Sequence, residues 1–185
     1  SEFQVCVDCQ GLGNDQDLLD VANSVPPLIG QDFSVIDVFD LCILEFDFEA
    51  GGDSISFNYV FGSDEYLTYV NTQYNDIFAF FLSGPGITGP YASPGGFPDG
   101  AINIAEVPES DPQLPVTISS VNNITNSAYY IDNQNNDGIC INGYTETFTA
   151  SAQVQCGETY HIKLAIADGS DGALESFVVL EEGSF

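Results

Sequence analysis

Positive charge is almost missing from this chain. Among 185 residues there is one lysine or arginine, Lys163, and one histidine, His161. Nucleic acid is held by Lys and Arg set against its phosphates, so that partner is disfavoured, and an anionic membrane surface is disfavoured for the same reason. No apolar run is long enough to span a bilayer, which argues against direct membrane insertion. The common catalytic signatures are missing too: there is no G-x-S-x-G, no H-E-x-x-H and no phosphate-binding loop. A second C-x-x-C to partner Cys6 and Cys9 is also lacking, which disfavours a structural zinc. There is no initiator Met or leader, and the chain beginning Ser1-Glu2-Phe3 reads as a mature or excised fragment.

Acid is present in excess. The 28 Asp and Glu give a formal net charge of −27, yet 44% of residues are hydrophobic and 12% aromatic. Charge of that size alone suggests disorder, whereas the apolar content supports a folded domain with a real core. Such a fold must hydrate, separate or neutralise its carboxylates, and one lysine cannot do it through salt bridges. Calcium takes hard oxygen ligands of this kind, so the composition points to a cation-rich, extracellular or cell-surface setting with Ca2+ as cofactor.

Strand signals dominate. Leu44–Phe48 alternates apolar and acidic residues, residues 49–53 form a turn, and in Ser54–Phe61 the side chains of Ile55, Phe57, Tyr59 and Phe61 share a face. This pattern predicts a hairpin. The run Ile77–Leu82 reads as a strand buried on both faces. Further strands are expected over 101–107, 115–121, 145–155, 159–167 and 176–181, with the last long pair joined by the turn at Cys156-Gly157-Glu158. Residues 83–100, rich in Gly and Pro, and 122–138, rich in Asn and Asp, read as long loops. The fold class is therefore all-β: an antiparallel β-sandwich, jelly-roll-like. Residues 1–40 read as an N-terminal arm, with one or two helical turns at Asp17–Ala22 ended by Pro26-Pro27, and residues 41–185 as the sandwich.

From Phe57 to Phe81 the chain resembles the choice-of-anchor L domain. The resemblance lies in F-N-Y-V-F-G-S-D-E-Y and Y-N-D-I-F-A-F-F-L-S-G-P-G-I. It continues through Asn103-Ile104-Ala105, Pro115-Val116, Val121-Asn122, the stretch around Cys140, T-Y-H-I-K-L-A-I-A-D at 159–168 and the final E-S-F-V-V-L-E-E-G-S-F. Together these cover residues 44–185. After Cys140 the family's Tyr-Asp-Gly is replaced by Asn142-Gly143-Tyr144. The resemblance implies an extracellular module of large secreted or surface proteins, chiefly of Bacteroidetes, often exported by the type IX system and anchored by a separate C-terminal signal. It implies no established activity. It also implies that Cys140 and Cys156 are paired; such a bridge closes a loop of about sixteen residues and is worth roughly 3 kcal/mol in the chain-entropy model.

Several residues are candidates for chemistry. Asp64, Glu65 and Asp76 flank strand ends and should meet at one rim, where clustered acids and turn carbonyls could supply calcium's oxygens. Asp168, Asp171 and Glu175 lie in a loop without the spacing of an EF-hand and form a second calcium candidate, against the plainer reading of an acidic loop; Asp132 and Asp137 are weaker ones. His161 and Lys163 share a strand face, where a hydrogen bond and a carboxylate partner are the expected roles, a general base and a covalent cross-link the rarer ones. Five cysteines leave at least one unpaired within the chain, and Cys42 is expected to join Cys6 or Cys9 or to remain a buried thiol. Asn123-Ile124-Thr125 is an N-glycosylation sequon, and Asp53-Ser54-Ile55 resembles a short O-glycosylation motif at Ser54. Tyr66, Tyr69, Tyr74, Tyr91 and Phe97 in the loops offer apolar faces to a glycan or a surface protein.

The function expected is a non-enzymatic module of a surface adhesin or matrix protein, stabilised by calcium. A second reading is a self-assembling filament subunit that binds copies of itself, with Phe3, Val5 and Val7 alternating in a strand that adds to a neighbour's sheet. The third is a glycan-degrading enzyme using a pair of carboxylates.

Overall fold

The computed structural model describes residues 13–135 and 137–185. The expected role of Phe3, Val5 and Val7 as an added strand, and the pairing of Cys42 with Cys6 or Cys9, lie outside the described residues.

Among the described residues the chain builds two antiparallel sheets, one α-helix and a single 3-10 turn at Ser127–Tyr129. The elements are α1 (Gln16–Leu28), β1 (Val38–Glu49), β2 (Ser54–Ser63), β3 (Ile77–Ser83), β4 (Ile102–Asn103), β5 (Tyr130–Asp132), β6 (Gly143–Thr145), β7 (Phe148–Gln153), β8 (Thr159–Gly169) and β9 (Ser176–Leu180). The first sheet runs β1-β8-β3-β4. In the second, β2 pairs with β7 and β6 and with β9, and β5 continues beyond β6. This is the expected all-β sandwich.

Burial of β3 on both faces explains its unbroken apolar run. Phe78, Phe80 and Leu82 enter the core between the sheets, among Phe57, Tyr59, Phe61 and Phe148. Ile77, Ala79 and Phe81 face the other way and pack with Leu18, Val21 and Ala22 of α1. The helix has reason to form there. Asp15 caps it by accepting the Leu18 N–H at 3.1 Å, and Leu18, Val21, Ala22 and Val25 recur at the spacing that makes one buried stripe. It is longer than the turn or two expected, and Pro26 and Pro27 lie inside its last turn instead of ending it. The helix closes just beyond them, where the Ile29 N–H bonds to the Val25 and Pro26 carbonyls.

Three expectations about pairing fail. The turn after β1 does not make a hairpin: β1 pairs with β8, and β2 with strands of the other sheet, so residues 50–53 cross between layers. The turn through Cys156 crosses in the same way from β7 to β8. The two crossings support each other, with Ala50 N–H on the Glu158 carbonyl at 2.9 Å and Gly157 N–H on the Ala50 carbonyl at 2.8 Å. Alternation places the side chains of a strand but does not say which edge it joins. Residues 101–107 and 115–121 also fall short of full strands; only Ile102–Asn103 is one, beside isolated bridges such as Glu106 with Pro115. Side chains replace the ladder there. Asn103 accepts from Phe80 N and Ala105 N, while Thr117, Ser119, Ser120 and Asn122, all buried, tie the second segment together.

The bridge between Cys140 and Cys156 is also overturned, since both are free and exposed. Cys140 lies near Asn142, which bonds to Asp64 just past the end of β2, whereas Cys156 sits beside the turn that precedes β2. The length of β2 separates them: ten residues at about 3.3 Å each give about 30 Å. A disulfide needs Cα atoms within about 7 Å. Peptide mapping without reduction is expected to find no peptide linking Cys140 to Cys156.

Candidate functional site: an acidic rim

The ends of β2 and β8 and the starts of β1, β3 and β9 meet at one end of the sandwich. Register fixes this: Ser63 pairs with Ser176, Ile77 with Ala167, and Val38 with Gly169. Both acidic groups read from the sequence therefore fall in the same place. Asp76, just ahead of β3, is 1% exposed. It accepts hydrogen bonds from Ser63 Oγ at 3.0 Å, Ser176 Oγ at 2.6 Å and Gly169 N at 3.2 Å, and so ties both sheets together. Gly169 is required here, because a Cβ on it would stand 2.7 Å from the Asn75 carbonyl oxygen.

Glu65 is 3% exposed, and its Oε2 has no hydrogen-bond partner. Burial, then the charges of Asp76, Asp171 and Asp64, push its carboxyl up to about 8. Asp168, near the end of β8, is also pushed up to about 8, by burial and then by Asp76, Asp40, Glu175 and Glu65. Asp76 rises less, to about 6, because its three hydrogen bonds oppose the burial that raises it. Asp64 is raised by burial, and one of its oxygens accepts the Asn142 N–H at 3.0 Å, which turns that oxygen toward the loop before β6. Asp171 is half-buried and Glu175 exposed, both on the loop before β9. The Glu175 carbonyl accepts the Asp64 N–H at 3.0 Å.

One acid here escaped the sequence reading. Asp40 sits in a bulge of β1, where the register jumps between Phe39 and Cys42, and has a left-handed φ of 47°. Its Oδ2 rests against Gly172, where a Cβ would come within 2.2 Å. A lone acid ahead of an apolar strand carries no sign of a bulge, so no local pattern could have found it. No three of the described His, Cys, Asp or Glu side chains converge as a ready-made metal cage. Asp132 and Asp137 lie outside this group: Asp132 caps the Gln134 N–H, and Asp137 N–H bonds to Asn133.

The chain's two basic side chains are committed elsewhere. Lys163 pairs with Asp15 at the cap of α1 and lies 5.3 Å from the Phe81 ring centre. His161 Nδ1 is 2.7 Å from Asp47 Oδ1. Both thus take the plainer roles expected of them.

The aromatic candidates divide. Tyr66 is 1% exposed, within the core, and cannot meet a partner. Tyr69 and Tyr74 stack edge-on with each other at 5.3 Å, and Tyr91 packs on Phe81 at 4.9 Å, all three half-buried. Phe97 lines an open cavity of about 420 Å³ with Gly84, Pro85, Asp99, Glu158 and Thr159. Asn123 and Ser54 are both exposed.

An antiparallel β-sandwich with a helix on one sheet and an acid rim at one end is the class of domain these observations define. A comparison with protein families matches residues 7–185 to the choice-of-anchor L domain, and the chain belongs to that family. Searches of curated proteins and of solved structures gave no match. Membership makes this a surface-associated extracellular module of a secreted or surface protein, from a family not known as enzymatic. No described helix is long and apolar enough to cross a membrane.

Proposed function

We propose that the domain is a non-enzymatic, calcium-stabilised module of a surface adhesin or matrix protein, and that it binds glycan through the cavity around Phe97. The cavity is the observation that carries the binding role. Its volume suits one or two sugar units. Phe97 supplies an apolar face for a sugar ring, while Asp99, Glu158, Thr159 and the Gly/Pro backbone supply acceptors and donors for hydroxyl groups. The acids make the site hostile to anionic ligands and suit neutral ones. A protein ligand needs a broader contact than this cavity offers.

A panel of neutral oligosaccharides tested by calorimetry checks the reading. Binding is expected, and Phe97→Ala should weaken it at least about tenfold through loss of the stacked ring, with the melting temperature little changed. Absence of binding across the panel, or binding indifferent to Phe97→Ala, would reject the glycan role.

A further inference from the structure

We propose that residues 3–9 of this same chain lie antiparallel along the open edge of β1 as a fifth strand of the first sheet, with Phe3, Val5 and Val7 closing the core beside Phe48, Phe46 and Leu44, and with Cys9 bonded to Cys42. The inference goes beyond the preceding reading and shares with it only the extracellular setting; it does not depend on any glycan.

β1 closes its sheet on one side, and no described strand pairs with its outer edge. It is 12 residues long and contains no proline, whereas exposed edges are usually short, broken by proline or guarded by inward-pointing charge. Its side chains point to a missing neighbour. Opposed residues of an antiparallel pair share a face, and register sets Cys42, Leu44, Phe46 and Phe48 opposite Ile166, Leu164, Ile162 and Tyr160. Ile162 and Tyr160 are fully buried in the core between the sheets, and Leu164 and Ile166 pack against it. Leu44 and Phe46 therefore stand on the core side, yet they are 55% and 36% exposed. Phe185 packs on the Phe46 and Phe48 end of this row, with ring centres at 5.7 and 5.3 Å, and the core still runs past its last described strand into solvent.

The occupant follows from where the chain enters the fold. Residues 1–12 lie ahead of the described part. Asp15, at the cap of α1, is bonded to Lys163, and Lys163 is paired with Glu45 in the middle of β1. The segment ahead of Gly13 is thus rooted one strand away from the open edge, which favours this chain's own segment over a neighbour's by local concentration. Seven extended residues span about 23 Å, the length of β1 from Cys42 to Phe48, and glycines at 11 and 13 serve the turn back to the helix. The β1 edge of a second copy is a poor occupant: it would set the acids Glu45, Asp47 and Glu49 of both strands against one another, with Lys163 already held by Asp15.

Alternation and the cysteines fix the register. Phe3, Val5, Val7 and Cys9 share one face of an extended segment. With that face toward the core and the strand antiparallel, Cys9 opposite Cys42 sets Val7 opposite Leu44, Val5 opposite Phe46 and Phe3 opposite Phe48. Directly opposed residues have Cα atoms about 4.5–5.5 Å apart, inside the range a disulfide takes. Cys6 falls on the other face, opposite Glu45. Asp8 meets Ile43, so acid opposes acid only at Glu2 and Glu49, at the end of the pair. Closing the bond takes two electrons and two protons from the two thiols; a protein disulfide of the extracytoplasmic space accepts them and is reduced to two thiols.

Peptic mapping of the oxidised, intact chain without reduction, together with hydrogen exchange of wild type and Val5→Asp, tests the strand. The map is expected to link the peptide carrying Cys6 and Cys9 to that carrying Cys42 in the monomer. Cys6→Ser should keep the link and Cys9→Ser should lose it. Amides of residues 43–48 should exchange about tenfold faster in Val5→Asp than in wild type, and that variant should melt about 3–6 °C lower. A link from Cys6 to Cys42 would overturn the register. A Cys9–Cys42 link found only in dimers would overturn the placement within one chain. No link to Cys42, or exchange along β1 equally fast in both proteins, would overturn the strand. If Val5→Asp does not fold, the wild-type map and the two serine variants decide.

Discussion

In a buffer with chelator, this protein should lose stability as the pH rises from 5.5 to 8. The direction is unusual for carboxylates, which more often gain partners on folding. In the folded rim Glu65 and Asp168 bind their protons up to about pH 8 and Asp76 up to about pH 6, because burial and mutual repulsion penalise the charged forms. In the unfolded chain the same groups release them near about pH 4. Between those limits the folded state holds more protons than the unfolded one, so unfolding becomes easier as pH increases. The groups facing one another are Asp40, Asp64, Glu65, Asp76, Asp168, Asp171 and Glu175, and none of them is countered by a described basic side chain. A fall in melting temperature on the order of 5 °C or more across this range is expected, steepest at its acid end, where Asp76 as well as Glu65 and Asp168 keeps a proton that the unfolded chain has released. A melting temperature that rises steadily from pH 5.5 to 8 in chelator would show that the rim carboxylates are not held in the repelling arrangement described.

The largest loss from a single substitution is expected at Phe80. Its ring lies 5.1 Å from those of Phe57 and Phe78 and 4.9 Å from that of Tyr59, so it joins β3 of one sheet to β2 of the other. It is 1% exposed. Phe80→Ala should cost about 3–5 kcal/mol, the sum of lost transfer energy and the cavity left among rings that cannot collapse onto it. Phe185→Ala is the matched control. That ring also touches Phe57, at 5.5 Å, but is 60% exposed, and its loss should cost no more than about 1 kcal/mol. Chemical denaturation of the two variants measures both. Similar costs at the two positions would mean that the rings between the sheets do not form the main core.

What the sequence made legible was what repeats locally. The alternation of Phe57, Tyr59 and Phe61 and the apolar run of β3 specified burial, and burial is what the fold delivers there. Strand partners were not legible, because β1 and β2 look like a hairpin in any local window while their register is set by β8 and β7, about a hundred residues away. The acid rim was half legible. Asp64, Glu65 and Asp76 were expected to share a strand-end rim, but that Asp168, Asp171 and Glu175 belong to the same group depends on β8 and β9 ending there. Asp40 depends on a bulge that no spacing announces. Tyr66 shows the opposite error: a tyrosine in a polar loop reads as a surface ring, yet this loop folds back and buries it beside Phe61 and Tyr130.

The placement of the sole lysine has one more consequence. Digestive and host proteases of the tryptic kind cut after basic residues, and this sequence offers them a single bond, following Lys163. That bond lies in the middle of β8, whose neighbours β1 and β3 pair with it on both sides at Glu45 and Phe81. Such enzymes need an extended, accessible stretch of chain, so cleavage must wait for the sheet itself to open. In a setting rich in secreted proteases, a domain that is nearly free of positive charge and keeps its one lysine in the centre of a sheet resists that whole class of attack.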